Sequence, residues 1–208
     1  MSREITVADS AFGKLRDEIW VRSGGELAQV IAVVSARRGE GRTLTAAGLA
    51  QALGKGLPNE RILLIDADLR RPSLHSVFGL ELSPGLCDVL RGSCEAEAAL
   101  QQAPDSSVIL LPAGDGAEEA CMLIASRRMT ALMNDLRRRA RVIILDCPPV
   151  ESAVEAHALA EMADGVLLVV RADRTTQKEA ADAATRLGGS EKGKLLGVVL
   201  NGVYLGAK

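Results

Sequence analysis

Three short stretches hold the residues best able to do chemistry: Gly39-Glu40-Gly41-Arg42-Thr43-Leu44, Asp66-Ala67-Asp68 and Asp146-Cys147-Pro148-Pro149. The first follows the apolar run Val30-Ile31-Ala32-Val33-Val34 and leads into a segment rich in alanine and leucine. Glycines let the chain turn tightly and aim successive amides inward, which builds a concave anion site. The first amides of a following helix add unpaired donors and a partial positive charge. Polyphosphate is the natural ligand of such a loop. A P-loop ends in Gly-Lys-Ser/Thr; here Arg42 takes the lysine position, while Thr43 keeps a hydroxyl able to reach Mg²⁺. Arginine retains the charge but spreads it over a bulkier planar fork, which favours nucleotide binding over fast phosphoryl transfer. The competing readings are an ordinary strand–turn–helix joint and a dinucleotide fingerprint. The fingerprint fits poorly, because Leu44 occupies its third glycine position.

The carboxylates extend the pattern. Ile62-Leu63-Leu64-Ile65 runs into Asp66 and Asp68, two acids at i and i+2 that face the same way. In open α/β sheets the carboxyl ends of strands border the ligand crevice. Val142-Ile143-Ile144-Leu145 ends in Asp146, the second half of the P-loop pattern, in which a carboxylate reaches Mg²⁺ through water.

The elements that must position these groups alternate. Apolar strands are expected at about 29–35, 62–65, 107–111, 142–146, 166–170 and 195–200. Helices are expected at about 10–21 (capped by Ser10), 43–55, 127–140, 152–162 and 177–187, with short helices and loops over 73–92. Buried strands alternating with helices predict an α/β P-loop NTPase fold, a mostly parallel central sheet with helices on both faces. Residues 1–208 are expected to form a single nucleotide-binding domain, with 1–25 as an N-terminal helical segment.

Composition narrows the function classes. The 208 residues are 48% hydrophobic and 2% aromatic, with a net charge of −2. Stacking platforms and an overall basic surface are both missing, so no nucleic-acid partner is expected. Arg137-Arg138-Arg139 reads as cations at a helix C-terminus. Cys87, Cys94, Cys121 and Cys147 form no Cys-x-x-Cys pair, which argues against zinc and fits reduced thiols in a cytosol. The polar N-terminus lacks a signal-peptide core, and no apolar run reaches the ~18 residues of a membrane span. Direct membrane insertion is therefore not expected.

With these motifs in hand, the chain resembles the bacterial tyrosine kinases of the capsule and exopolysaccharide type, P-loop proteins related to the deviant-Walker ATPases of septum positioning and chromosome partition. The resemblance runs from about Phe12 to Val203, and Leu63–His75 is its most specific part. It implies that the loop around Gly39, Glu40, Gly41, Arg42, Thr43 and Leu44 cradles the phosphates of ATP. Thr43, Asp68 and Asp146 would hold Mg²⁺. Asp66 would draw the proton from an attacking tyrosine hydroxyl, with Arg42 and Asp68 beside it in the catalytic group, and Asn201 would read adenine. It also implies a separate membrane-anchored partner, a polysaccharide co-polymerase that regulates chain length. The protein would be cytoplasmic, drawn to the inner face of the membrane by that partner, and able to form homo-oligomers.

Four features depart from the family pattern. Arg42 replaces the P-loop lysine. Of the assembly signature Glu-x-x-Arg-x-x-Arg, aligned with Ser10, Gly13 and Arg16, only the last member is present. Tyr204 is the single tyrosine, so it is the candidate phosphoacceptor where a cluster is usual. Cys147 stands where threonine is common and reads as a small buried hydrophobe. Arg37 aligns with the signature lysine of the deviant-Walker ATPases; it, or Arg38, is a candidate second source of charge for phosphate, the alternative being an exposed loop arginine. Three functions stay open: an ATP-dependent tyrosine autokinase, a nucleotide-binding regulatory module with weak catalysis, and a partition-type ATPase switch.

Overall fold

In the computed structural model, residues 2–22, 25, 27–104, 106–151, 154–187 and 194–203 are described, the first helix with side chains from Ser10 onward. Seven strands form one sheet: β1 (Val30–Ser35), β2 (Ile62–Asp66), β3 (Gln101–Gln102), β4 (Val108–Leu111), β5 (Val142–Asp146), β6 (Gly165–Arg171) and β7 (Leu195–Asn201), in the order β3-β4-β2-β5-β1-β6-β7. All neighbours run parallel except the β3–β4 pair. The central strands are apolar throughout because both faces are covered. Within β1, Val30, Ala32 and Val34 face one core while Ile31 and Val33 face the other, the alternation that a pleated strand imposes.

Helices α1 (Ser2–Arg22) and α2 (Arg42–Gly56) cover one face; α7 (Arg127–Arg139), α8 (Val154–Met162) and α9 (Gln177–Arg186) contribute to the core on the other. Between β2 and β5 lie the short helices α3 (Leu74–Phe78), α4 (Leu86–Arg91), α5 (Ala96–Ala99) and α6 (Ala120–Ile124). The α1–α2 contact is close: a Cβ on Gly48 would lie 2.2 Å from the Phe12 ring, and Arg16 Nη1 donates to the Ala52 carbonyl at 3.2 Å.

Several expectations shift. The first helix begins at Ser2, so Ser10 lies inside it and does not cap it; no glycine or proline interrupts residues 2–9 to stop it. β3 has only two residues, too few to show a period of two, and α5 and α6, with four and five, are too short to show a helical one. α2 starts at Arg42, one residue early. The expected start of α8 at Ser152 falls outside the described residues. No helix among the described residues is long and apolar enough to cross a membrane.

Candidate nucleotide site

β1 delivers the loop to the carboxyl edge of the sheet, and β2 and β5 bring their acids beside it. Parallel register sets Asp66 directly opposite Asp146, and Val33 opposite Asp146 on the other side. Three stretches that are distant in sequence therefore meet because β5 is inserted between β1 and β2.

Gly41 caps α2 with φ +86, and a Cβ there would sit 1.9 Å from Asn201 Nδ2. Both the backbone conformation and the space demand glycine. The first turn of α2 closes with Thr45 N–H on the Gly41 carbonyl at 2.9 Å, which leaves the amides of Arg42, Thr43 and Leu44 without helical acceptors. They border a cavity of about 610 Å³, lined also by Arg38, Asp68, Arg70, Arg71, Ser73, Pro148, Pro149 and Glu151. That volume suits a nucleotide-sized ligand.

The floor of the cavity is an ion cluster. Arg42 donates from Nε to Asp146 Oδ1 at 2.7 Å and from Nη2 to Asp68 Oδ2 at 2.8 Å. Its side chain is 11% exposed, that of Asp68 8% and that of Asp146 0%. Burial opposes the Arg42 charge, but Asp146 and Asp68 more than offset it and raise its pKa. Burial raises the Asp146 pKa, while Arg42 and the Thr43 hydroxyl pull it back. Asp66 lies deeper. Its Oδ2 accepts from the amides of Ser73 and Leu74, both at 2.9 Å, and burial with the neighbouring Asp146 charge pushes its pKa up to about 7. Asp66 Oδ1 and Asp146 Oδ2 are buried without a hydrogen-bond partner.

In type these donors suit a hard divalent cation, but Arg42 already bonds both carboxylates, so a cation would have to displace it. Thr43 and Asp68 border the cavity, Asp146 offers an unpartnered oxygen, and Mg²⁺ takes one or two carboxylates plus phosphate and water.

Glu40 borders the cavity with the rest of the loop, but the residue is 2% exposed and its carboxylate is held by partners within the protein. It accepts from the Arg37 amide at 2.8 Å and from the Thr175 hydroxyl, while the Glu40 carbonyl accepts from Asn201 Nδ2 at 2.9 Å. Glu40 thus ties the loop to the segment after β6 and to the end of β7. Asn201 engages the loop directly through the Glu40 carbonyl, and Leu44 lies at the cavity mouth, 62% exposed. Arg37 points away, pairing with Glu179 at 3.0 Å and Glu151 at 3.5 Å. Arg38 is the loop arginine that borders the cavity. Cys147 is fully buried, and burial holds its thiol protonated. Tyr204 falls outside the described residues.

Sequence reasoning missed Thr175, Glu151, Ser73 and the Arg70–Glu155 pair, in which Glu155 is 4% exposed and Arg70 reaches it at 2.8 Å. Arg70 and Ser73 lie within the specific stretch Leu63–His75, a signal that could have found them; Thr175, Glu151 and Glu155 carry no local motif, and only the fold brings them near.

Comparison with known proteins sorts this geometry. The family model described as "AAA domain" matches residues 28–183. The tyrosine-protein kinase YwqD of Bacillus subtilis is 31% identical over 205 residues, spanning 99% of this chain and 85% of that one. The chain belongs to the bacterial tyrosine-protein kinase family. Among solved structures, the VpsO kinase domain superposes with a TM-score of 0.85 at 26% identity, covering 98% of this chain and all of that one. A wider P-loop relationship is visible in the cobyrinic acid a,c-diamide synthase of Mycobacterium smegmatis with bound ATP analogue and magnesium. It has a TM-score of 0.67 at 26% identity, over 84% of this chain and 75% of that one. Other curated relatives, a succinoglycan biosynthesis transport protein among them, are longer chains of which this kinase-family chain spans about a fifth.

Proposed function

We propose that this kinase-family chain binds ATP at the loop 39–44 and regulates capsule or exopolysaccharide synthesis, with phosphoryl transfer attenuated. The carrying observation is the Arg42 bridge to Asp68 and Asp146 beneath a cavity bordered by free helix amides. Amides at the start of α2 and the loop backbone would bind the β- and γ-phosphates, and Asn201 at the end of β7 would meet the base. Thr43, Asp68 and Asp146 are the groups that would hold Mg²⁺ for in-line transfer, once Arg42 releases the two carboxylates. Asp66 is the candidate proton acceptor from a tyrosine hydroxyl, because a pKa near 7 suits a base at neutral pH.

The same geometry explains why transfer would be slow. Asp66 is fully buried with Oδ2 held by the Ser73 and Leu74 amides, and Arg42 ties down the neighbouring Asp68 carboxylate. A membrane-anchored polysaccharide co-polymerase on a separate chain is the proposed partner, and its contact would localise this domain to the cytoplasmic side of the membrane and open the site. Homo-oligomerisation is the less supported part, since Arg16, the remaining member of the assembly signature, bonds Ala52 and Asp17 within the chain.

The test is to incubate the protein with Mg-ATP, with and without the cytoplasmic tail of such a partner, and follow phosphotyrosine and free phosphate together. Phosphotyrosine that rises with the tail and disappears in Tyr204→Phe supports an attenuated autokinase. Free phosphate without phosphotyrosine supports the partition-type switch, and nucleotide binding with neither product a regulatory module.

A further inference from the structure

We propose that Arg42 is a built-in cation in the place of the divalent metal, so that this protein binds a nucleoside polyphosphate without needing Mg²⁺. The inference rests on the reading of the cavity as a nucleotide site and concerns what neutralises it.

Two carboxylates at the rim of a sheet require a counter-charge. In P-loop proteins the lysine ammonium is a point charge on a flexible stem, free to follow the phosphate, and the metal serves the acids. Here one guanidinium spans both acids through two different nitrogens, at 2.7 and 2.8 Å. Two charge-assisted bonds in a desolvated setting are hard to give up, because any one group freed leaves an unpaired buried charge. A dication brought to Asp68 and Asp146 would also meet the guanidinium already there. Mg²⁺ sheds its water reluctantly and gains least where its ligands are engaged.

The phosphate side of the cavity does not depend on Arg42. The amides of Thr43 and Leu44 remain free, and Arg38 and Arg71 border the same space. Metal-free binding thus leaves both acids bonded to Arg42, with one of their two negative charges offset, and the phosphates received from the loop and rim. Phosphoryl transfer, which needs the metal, is the step that this arrangement holds back.

The experiment is a calorimetric titration of ADP into the full chain, once in excess Mg²⁺ and once in excess EDTA, repeated with Arg42→Lys. A lysine cannot span both acids, so it should leave the metal site open. Expected for the wild type is an affinity that differs by less than about threefold between the two conditions, and for Arg42→Lys a gain of about tenfold or more with Mg²⁺. Mn²⁺ added to the nucleotide-free proteins, followed by electron paramagnetic resonance, should remain free with the wild type and be bound by Arg42→Lys. A wild-type affinity that collapses about tenfold or more in EDTA overturns the proposal. So does an Arg42→Lys protein that is equally indifferent to metal, or Mn²⁺ uptake by the nucleotide-free wild type. Absence of ADP binding under both conditions overturns the nucleotide reading itself, and so is distinguishable from failure of the metal inference alone.

Discussion

Arg37 and Arg42 lie five residues apart on one loop and both pair with two acids, yet the two faces of that loop are different media. On the outer face Arg37 is half exposed and reaches Glu151 and Glu179 across solvent. On the inner face Arg42 is 11% exposed and its acids are buried. Exposed pairs contribute little, because water screens them and side-chain entropy opposes them. Buried pairs are not intrinsically stabilising either, but breaking one strands a charge in a poor dielectric. The comparison teaches that pairing alone says nothing of importance; what matters is the medium around the pair. The inner face is where stability, pH response and ligand binding are coupled.

The largest effect that would break this contrast is Arg42→Ala. It should cost about 3–5 kcal/mol at neutral pH by leaving Asp68 and Asp146 without a cation. Urea denaturation measures this, and a loss no larger than that of an exposed pair would mean that water reaches the inner face.

Next comes the response to pH. Asp66 has a folded pKa of about 7 against an ordinary 3.8. The folded state therefore holds this proton more tightly than the unfolded chain, and stability falls as pH rises. The contribution is fully present below the ordinary value and is lost on passing the folded one. The denaturation midpoint should therefore decrease as pH rises from about 4 to about 7, and Asp66→Asn should flatten that slope. Asp146, also raised by burial, leaves a residual slope of the same sign.

Gly41→Ala sharpens the comparison at the point where the two faces join. The added methyl meets Asn201 in a backbone conformation that alanine avoids, so nucleotide affinity should fall about tenfold or more by calorimetry. The smallest effect is Arg37→Ala, for which neither the denaturation midpoint nor the nucleotide affinity should change resolvably. A clear loss of affinity would show that the outer face does reach phosphate.

Much of this was legible before the fold was known. The β1–loop–α2 unit, the acids after β2 and β5, and the parallel architecture all follow from local patterns: apolar runs of strand length, glycines before a helix, and acids at strand ends. Glu40 shows where such reasoning stops. Its place in the loop suggests a ligand contact, but its carboxylate turns inward to the Arg37 amide and Thr175, a partner 135 residues away. Asp66, read from the sequence as the candidate proton acceptor, also carries a structural role that the sequence did not show: its Oδ2 accepts from the Ser73 and Leu74 amides.

The amino-acid sequence by itself determined six of the seven strands, the glycine-bearing turn between β1 and α2, and the acids at the ends of β2 and β5, since each of these depends on neighbours in the chain. The tertiary structure decided that a single guanidinium bridges Asp68 and Asp146. That arrangement depends on β5 lying between β1 and β2 and on the exclusion of water from the space they enclose. Neither strand order nor solvent exclusion is a local property, and together they turn an ordinary substitution of arginine for lysine into a resident counter-ion.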